Sequence, residues 1–261
     1  MKTYKFLSVF CLTTLFIFTG CANKVELKKD SGPAEFVTEK KIAEEWINTN
    51  NIQNEYTKRL NLPYRNIDES IYQEYNLVPK DELSKYNIKL TKREEALEEW
   101  CNDLLLLEIR GSDLGCKNRF INPNQNNKVI FEYAYKDHNG ADSDAKIINL
   151  GKNIFIIHYW DLGDSGWKEN SIYDLKKGEI GERLKINGHF TFIYYYDLDN
   201  DGVRELISEK QMYLLKDGTV KEYLEFFRPY GTGVVLLNKI EIYNKTANSF
   251  EKVGTSYSLK D

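Results

Sequence analysis

Histidine is scarce in this chain, and its placement excludes more than its number. His138, His158 and His189 are the three present, and none sits in a His-Glu-x-x-His or related ligand spacing. A zinc centre of the metalloprotease type is therefore not encoded. No Gly-x-Ser-x-Gly elbow and no Walker phosphate loop occur either, which removes two common sequence signs of catalysis. Basic residues are in the minority, 36 against 40 acidic ones, and no lysine or arginine cluster stands out. That balance argues against nucleic acid or an anionic bilayer as a partner. Long apolar runs are missing as well. The most apolar segment, FLSVFCLTTLFIF at residues 6–18, falls short of the ~20 residues that a membrane-crossing helix needs. Cysteine is limited to four residues, so any disulfide framework is minimal.

The start of the chain is informative. Lys2 and Lys5 precede the apolar run, and Thr19-Gly20-Cys21 follows it, then the polar stretch ANKVELKKDSG. This order is that of a signal peptide over residues 1–20. Its end resembles the lipobox of bacterial lipoproteins, with Phe18 in the place of the usual aliphatic residue. The resemblance implies that Cys21 is lipidated and becomes the mature N-terminus, with residues 21–36 as a tether. Membrane attachment is then expected through the N-terminal lipid only, in the cell envelope, facing the periplasm or the exterior. Losing Lys2 and Lys5 leaves 34 basic against 40 acidic residues, a formal charge of about −6. Of the remaining cysteines, Cys11 lies in the signal segment. Cys101 and Cys116 form an even pair expected to bridge in an oxidising compartment.

The rest reads as α+β, a helical region at 37–124 docked on an antiparallel β domain at 125–261. Thr38 is placed to cap a helix with Ile42, Trp46 and Ile47 on one face. Thr91-Lys92-Arg93-Glu94 has the capping-box pattern, and Ala96, Leu97, Trp100, Cys101, Leu104 and Leu105 follow at helical spacing. Glu94, Glu95, Glu98 and Glu99 would then form a solvated face. After INPNQNN at 121–127 come KVIFEYAY, NIFIIHYW, HFTFIYYY, QMYLL, VVLLNKIEIY and SFEKVGTSYSL, separated by turn residues. Such runs without intervening helices imply antiparallel strands. His158 lies in one of them and is expected to be packed.

Inside the β part, IHYWDLGDSGWKE at 157–169 parallels IYYYDLDNDGVRE at 193–205, and IYDLKKGEIGERL at 172–184 parallels MYLLKDGTVKEYL at 212–224. This reads as a duplicated unit of strand, loop, strand, tight turn and strand, spanning 157–184 and 193–224. In the second copy Asp197, Asp199, Asp201, the Val203 carbonyl and Glu205 alternate around Gly202. Alternating oxygens on a tight turn can wrap one hard cation, and five of them with water suit Ca²⁺ better than Mg²⁺. Ser208 occupies the position where an EF-hand needs its bidentate glutamate, so the loop is not of that kind. In the first copy Gly163 and Ser165 replace two of the aspartates, so that copy is expected to keep the turn and lose the ion.

DLDNDGVREL resembles the calcium loop of FG-GAP and VCBS-type repeats, which joins two strands of a propeller blade. Two such units imply a partial, propeller-like sheet or open meander rather than a closed propeller. The expectation for function is a non-enzymatic, calcium-stabilised envelope protein that binds another protein or a glycan. An inhibitor or immunity protein of a cell-wall hydrolase is one form of it. The alternative is a calcium-scaffolded cell-wall hydrolase. The 18 tyrosines serve either as contact surface or as cross-strand pairs.

Overall fold

The computed structural model describes residues 33–261 apart from 62, 74, 112–116, 135–142, 163–166, 177–178, 223–234 and 261. The signal segment, Cys21, Cys116, Gly163 and Ser165 lie outside the described residues. The expected α+β architecture is corrected by the structure: the chain is dominated by antiparallel β-sheet, arranged in three separate sheets. Among the described residues, 37–124 do not form a helical domain. Within that span β1 (Asn76–Leu77), β2 (Glu95–Cys101), β3 (Leu104–Arg110) and β4 (Lys117–Asn122) join β5 (Lys128–Ala134) in one five-stranded sheet, in chain order.

The segment around residue 95 shows why helical spacing misleads there. Half of the capping box does form, since the Thr91 amide donates to Glu94 Oε2 at 2.9 Å, yet a strand follows. Asn102 takes φ +56° in the two-residue turn after Cys101, a conformation asparagine tolerates well. That turn folds β2 back on the Leu104–Leu107 run, pairing Glu99 with Leu106 and Trp100 with Leu105. Burying the leucine run on both faces outweighs the weak local helix preference. The glutamates consequently are not one solvated face: Glu94, Glu99 and Glu108 are buried, and burial pushes the Glu99 carboxyl up to about 9. Cys101 carries a free, buried thiol at the hairpin tip.

The second sheet is a four-stranded meander of β6 (Ser143–Gly151), β7 (Ile154–Leu162), β8 (Trp167–Lys176) and β9 (Glu179–His189). The third runs β10 (Phe192–Tyr196), β11 (Glu205–Leu214), β13 (Val235–Lys245), β14 (Phe250–Leu259), with the short β12 (Val220–Glu222) paired to β11. The residues read as a first copy fall in β7, β8 and β9, those read as a second in β10, β11 and β12, so the two stretches lie in different sheets.

The middle sheet is apolar on both faces, so it must be covered twice. Ala145, Ile147, Ile157 and Leu175 share a core with Leu106, Phe120 and Tyr133 of the first sheet. Ile148, Leu150, Ile156 and Ile172 share another with Tyr195, Leu206 and Phe250 of the third. The N-terminal segment closes the stack. Helix α1 (Pro33–Asn50) starts with proline at its first position, ahead of the Thr38 cap expected from the sequence. It lays Ala43, Trp46 and Ile47 against Met212, Leu214 and Leu237 of the third sheet and leaves Ile42 exposed. The one-turn α2 (Glu55–Lys58), held by a reciprocal Asn54–Thr57 box, adds Tyr56 and Leu60 to the opposite face, against Ile207, Ile240 and Ile242. The chain then passes the middle sheet, where Ile71 enters the core and Tyr72 bridges Ile148. It ends under the first sheet, with Val78 and Leu83 against Leu107 and Ile109. The segment at 33–92 is a strap across all three sheets. No helix among the described residues is long and apolar enough to cross a membrane.

Candidate metal loop between β10 and β11

The loop after β10 is built by its own carboxylates. Asp197 Oδ1 and Asp199 Oδ1 accept from the Asp201 amide at 3.1 and 3.0 Å, and Asp197 Oδ2 accepts from Gly202 N–H at 2.9 Å. Gly202 takes φ +85° and Asn200 φ +60°, which lets the chain reverse within this short span. Leu198 points the other way and is fully buried with Tyr64, Ile207 and Ile242. Glu205, at the start of β11, is 3% exposed and accepts from the Leu198 amide at 2.6 Å.

Asp197, Asp199 and Glu205 each bring a carboxylate oxygen into a cluster whose atoms lie within 4.8 Å of one another. Burial raises the Glu205 carboxyl to about 7, and the charges of Asp199 and Asp197 add to the effect against the Leu198 hydrogen bond. A divalent cation at the cluster would reverse that effect by favouring all three charged forms. The all-oxygen donor set fits a hard cation.

Asp201 stands apart from this cluster. Asp201 Oδ1 accepts from Val203 N–H at 2.6 Å, and its Oδ2 lies 3.4 Å from Lys152 Nζ. Of the five oxygens read from the spacing, the carboxylates of Asp197, Asp199 and Glu205 converge, and Asp201 is tied to the middle sheet.

No protein-family model matches the chain, and comparison with curated proteins and with solved structures finds no match. Two carboxylates of the first copy, Asp161 and Glu169, are among the described residues. Asp161 and Glu169 face each other across β7 and β8, Asp161 accepting from Ser143 Oγ at 3.0 Å and Glu169 ion-paired with Lys185.

Two features of this region were not visible in the spacing. The first is that the loop is a junction. Tyr56 OH donates to Asp199 Oδ2 at 3.3 Å, Arg59 donates to the Leu198 carbonyl, and Arg204 pairs with Asp68 at 2.8 Å, so the strap grips it in three places. From the middle sheet, the Leu150 carbonyl accepts from Arg204 N–H at 2.7 Å, and Gly151 abuts Gly202. The second is a buried polar chain beneath β10. Tyr195 OH donates to His158 Nδ1 at 3.0 Å, His158 Nε2 donates to Asn170 Oδ1 at 3.1 Å, and Asn170 Nδ2 donates to the Ile186 carbonyl at 3.2 Å. This order of donors requires neutral imidazole.

Burial lowers the His158 pKa to about 4, with the Lys146 charge adding to it and the Asn170 hydrogen bond opposing. The unfolded imidazole titrates near 6.5, so between pH 6.5 and 4 the unfolded chain binds a proton that the folded one refuses. Stability is full above that window and falls as pH falls through it. A loss of about 2 kcal/mol is expected between pH 7 and 4.5 from this group. Urea unfolding of the wild type and His158→Gln at both pH values isolates it: the variant should lose markedly less on acidification, and equal losses would refute the assignment.

Proposed function

We propose that the chain is a non-enzymatic, extracytoplasmic binding protein, lipid-anchored through Cys21. In this reading a calcium ion held by Asp197, Asp199 and Glu205 pins its third sheet to the strap and to the middle sheet. The observation that carries the proposal is the convergence of those three carboxylates within 4.8 Å on a loop that both the strap and the middle sheet grip. The spacing of the loop and the signal-like N-terminus support calcium over other cations, since external compartments supply it near millimolar concentration. The ion would neutralise carboxylates that otherwise repel, and no bond-breaking step is required of it. The binding partner is an envelope protein or a glycan.

Extracellular calcium modules bind at about 10⁻⁴ to 10⁻³ M, so millimolar calcium is expected to add about 0.4 to 1.4 kcal/mol of stability. For a chain of this size that is a rise in Tm of roughly 1–5 °C. Differential scanning calorimetry with and without chelator should show it, and Asp197→Asn with Asp199→Asn should remove it while the chain stays folded. An unchanged Tm in the wild type would remove the pin. Soluble sugars or peptides released from cell wall by the purified chain would replace the binding reading with an enzymatic one.

A further inference from the structure

Where the middle and third sheets share a core at one end, they part at the other. Ile148, Ile156 and Ile172 are packed against the third sheet. Further along the same face of the same strands, His158, Trp160, Lys168 and Asn170 line an open cleft of about 410 Å³ instead. The opposite wall is Thr191 and β10, and the strap from Tyr64 to Tyr72 forms the roof. Beyond Tyr72 the depression widens toward Lys146 and Trp100. The size and the mix of ring faces with a few polar groups are those of ligand sites.

Three observations indicate what would fill it. Lys168 lies 4.5 Å over the Phe192 ring, and Lys146 lies 4.7 Å over Tyr72 and 5.8 Å over Trp160. Neither ammonium forms an ion pair among the described residues, although acidic residues outnumber basic ones in the chain. Burial also lowers the Lys168 pKa, so its charge is held at some cost. Thr191 is 1% exposed and lines the cavity, yet its Oγ1 has no hydrogen-bond partner. Lastly, Phe192 and Trp100 are large apolar side chains left exposed along this one depression.

We propose that the cleft binds an acidic oligosaccharide, a glycan whose sugars carry carboxylates. Lys168 and Lys146 would hold the carboxylates, Trp160 and Phe192 would take the faces of the sugar rings, and Asn66, Asn170 and Thr191 would meet hydroxyls. An extended acidic peptide fits less well. Its simplest mode is strand addition to the β10 edge, and the strap blocks that edge. Tyr64 meets Tyr194 edge to face on one face of the third sheet, and Ile71 is buried on the other, so residues 65–70 pass around β10.

The proposal rests on the binding reading above and names the partner class for it. The test is titration calorimetry on the full chain in millimolar calcium, with hexagalacturonate as probe, a neutral hexasaccharide and hexaglutamate as controls, and tryptophan fluorescence as a second readout. Hexagalacturonate is expected to bind at least tenfold more tightly than either control. Lys168→Met and Phe192→Ser are each expected to weaken it at least tenfold, and Lys146→Met supplies the same test if either variant fails to fold. Binding unaffected by these substitutions would place the ligand elsewhere, and hexaglutamate binding as tightly would make the partner a peptide. No hexagalacturonate binding by a chain that still gains Tm from calcium would overturn the cleft alone, whereas loss of the calcium gain as well would overturn the underlying reading.

Discussion

Gly151→Ala is expected to destabilise the protein by more than about 3 kcal/mol. Gly151 ends β6 with φ +107°, where side chains are strained whatever the space. Space is missing too. A Cβ built there would stand 2.1 Å from the Gly202 carbonyl oxygen and 3.2 Å from its carbon. The obstacle is backbone of the aspartate loop, which cannot swing aside as a flexible side chain could. Relief would require the loop to lift from the middle sheet, breaking the Arg204–Leu150 backbone hydrogen bond and the Lys152–Asp201 pair. Chemical denaturation should show the loss, and the variant should also lose its calcium-dependent gain because the cluster moves with the loop. A Gly151→Ala protein within 1 kcal/mol of wild type, that is about fivefold in the folding equilibrium, would mean the two turns are not in contact.

Leu198→Ala should cost about 2–5 kcal/mol. Leucine between two aspartates of an acidic loop would ordinarily be solvated. Here it is fully buried among Tyr64, Ile207, Ile240 and Ile242, on the side of the loop away from the carboxylates. Its amide also donates to Glu205 and its carbonyl accepts from Arg59. Truncating it leaves a cavity beneath the carboxylate cluster, so apparent calcium affinity should fall along with stability. The conservative Leu198→Met should retain most of both, since it keeps volume. Titration of the unfolding midpoint against calcium would separate the two effects. An alanine variant as stable as the wild type would show that the side chain is not anchored.

The sequence made the strands after residue 125 legible because their β-branched and aromatic runs are bounded by turn residues. KVIFEYA, IFIIHYWDL and FIYYY became β5, β7 and β10. Residues 94–105 were not legible as strand, because Ala96, Leu97, Trp100 and Cys101 satisfy helical spacing as well as they satisfy a hairpin. The deciding feature was the Asn102-Asp103 turn, which pairs β2 with a leucine run that only tertiary burial rewards. The strap was illegible for a different reason. Its short pieces have weak local signals, and their conformation is set by sheets distant in sequence, as when Asn54 and Asn51 bond the β14 backbone.

At the loop, alternation brought out the carboxylates but not their destinations. Asp197, Asp199 and Glu205 converge, while Asp201 turns to Lys152, a residue 49 positions earlier that no local pattern connects to it. The grip of Tyr56 and Arg59 on the same loop is likewise a product of the fold. Helix–strand competition and long-range polar contacts therefore account for what spacing alone missed.

The most direct measurement is backbone hydrogen–deuterium exchange with and without millimolar calcium. If the aspartate loop is an ion-held junction, calcium should slow exchange together at residues 197–205, at the 150–152 turn and at the 56–59 stretch of the strap. Protection that is unchanged at all three, or that rises in the loop while the turn and strap stay as they were, would contradict it.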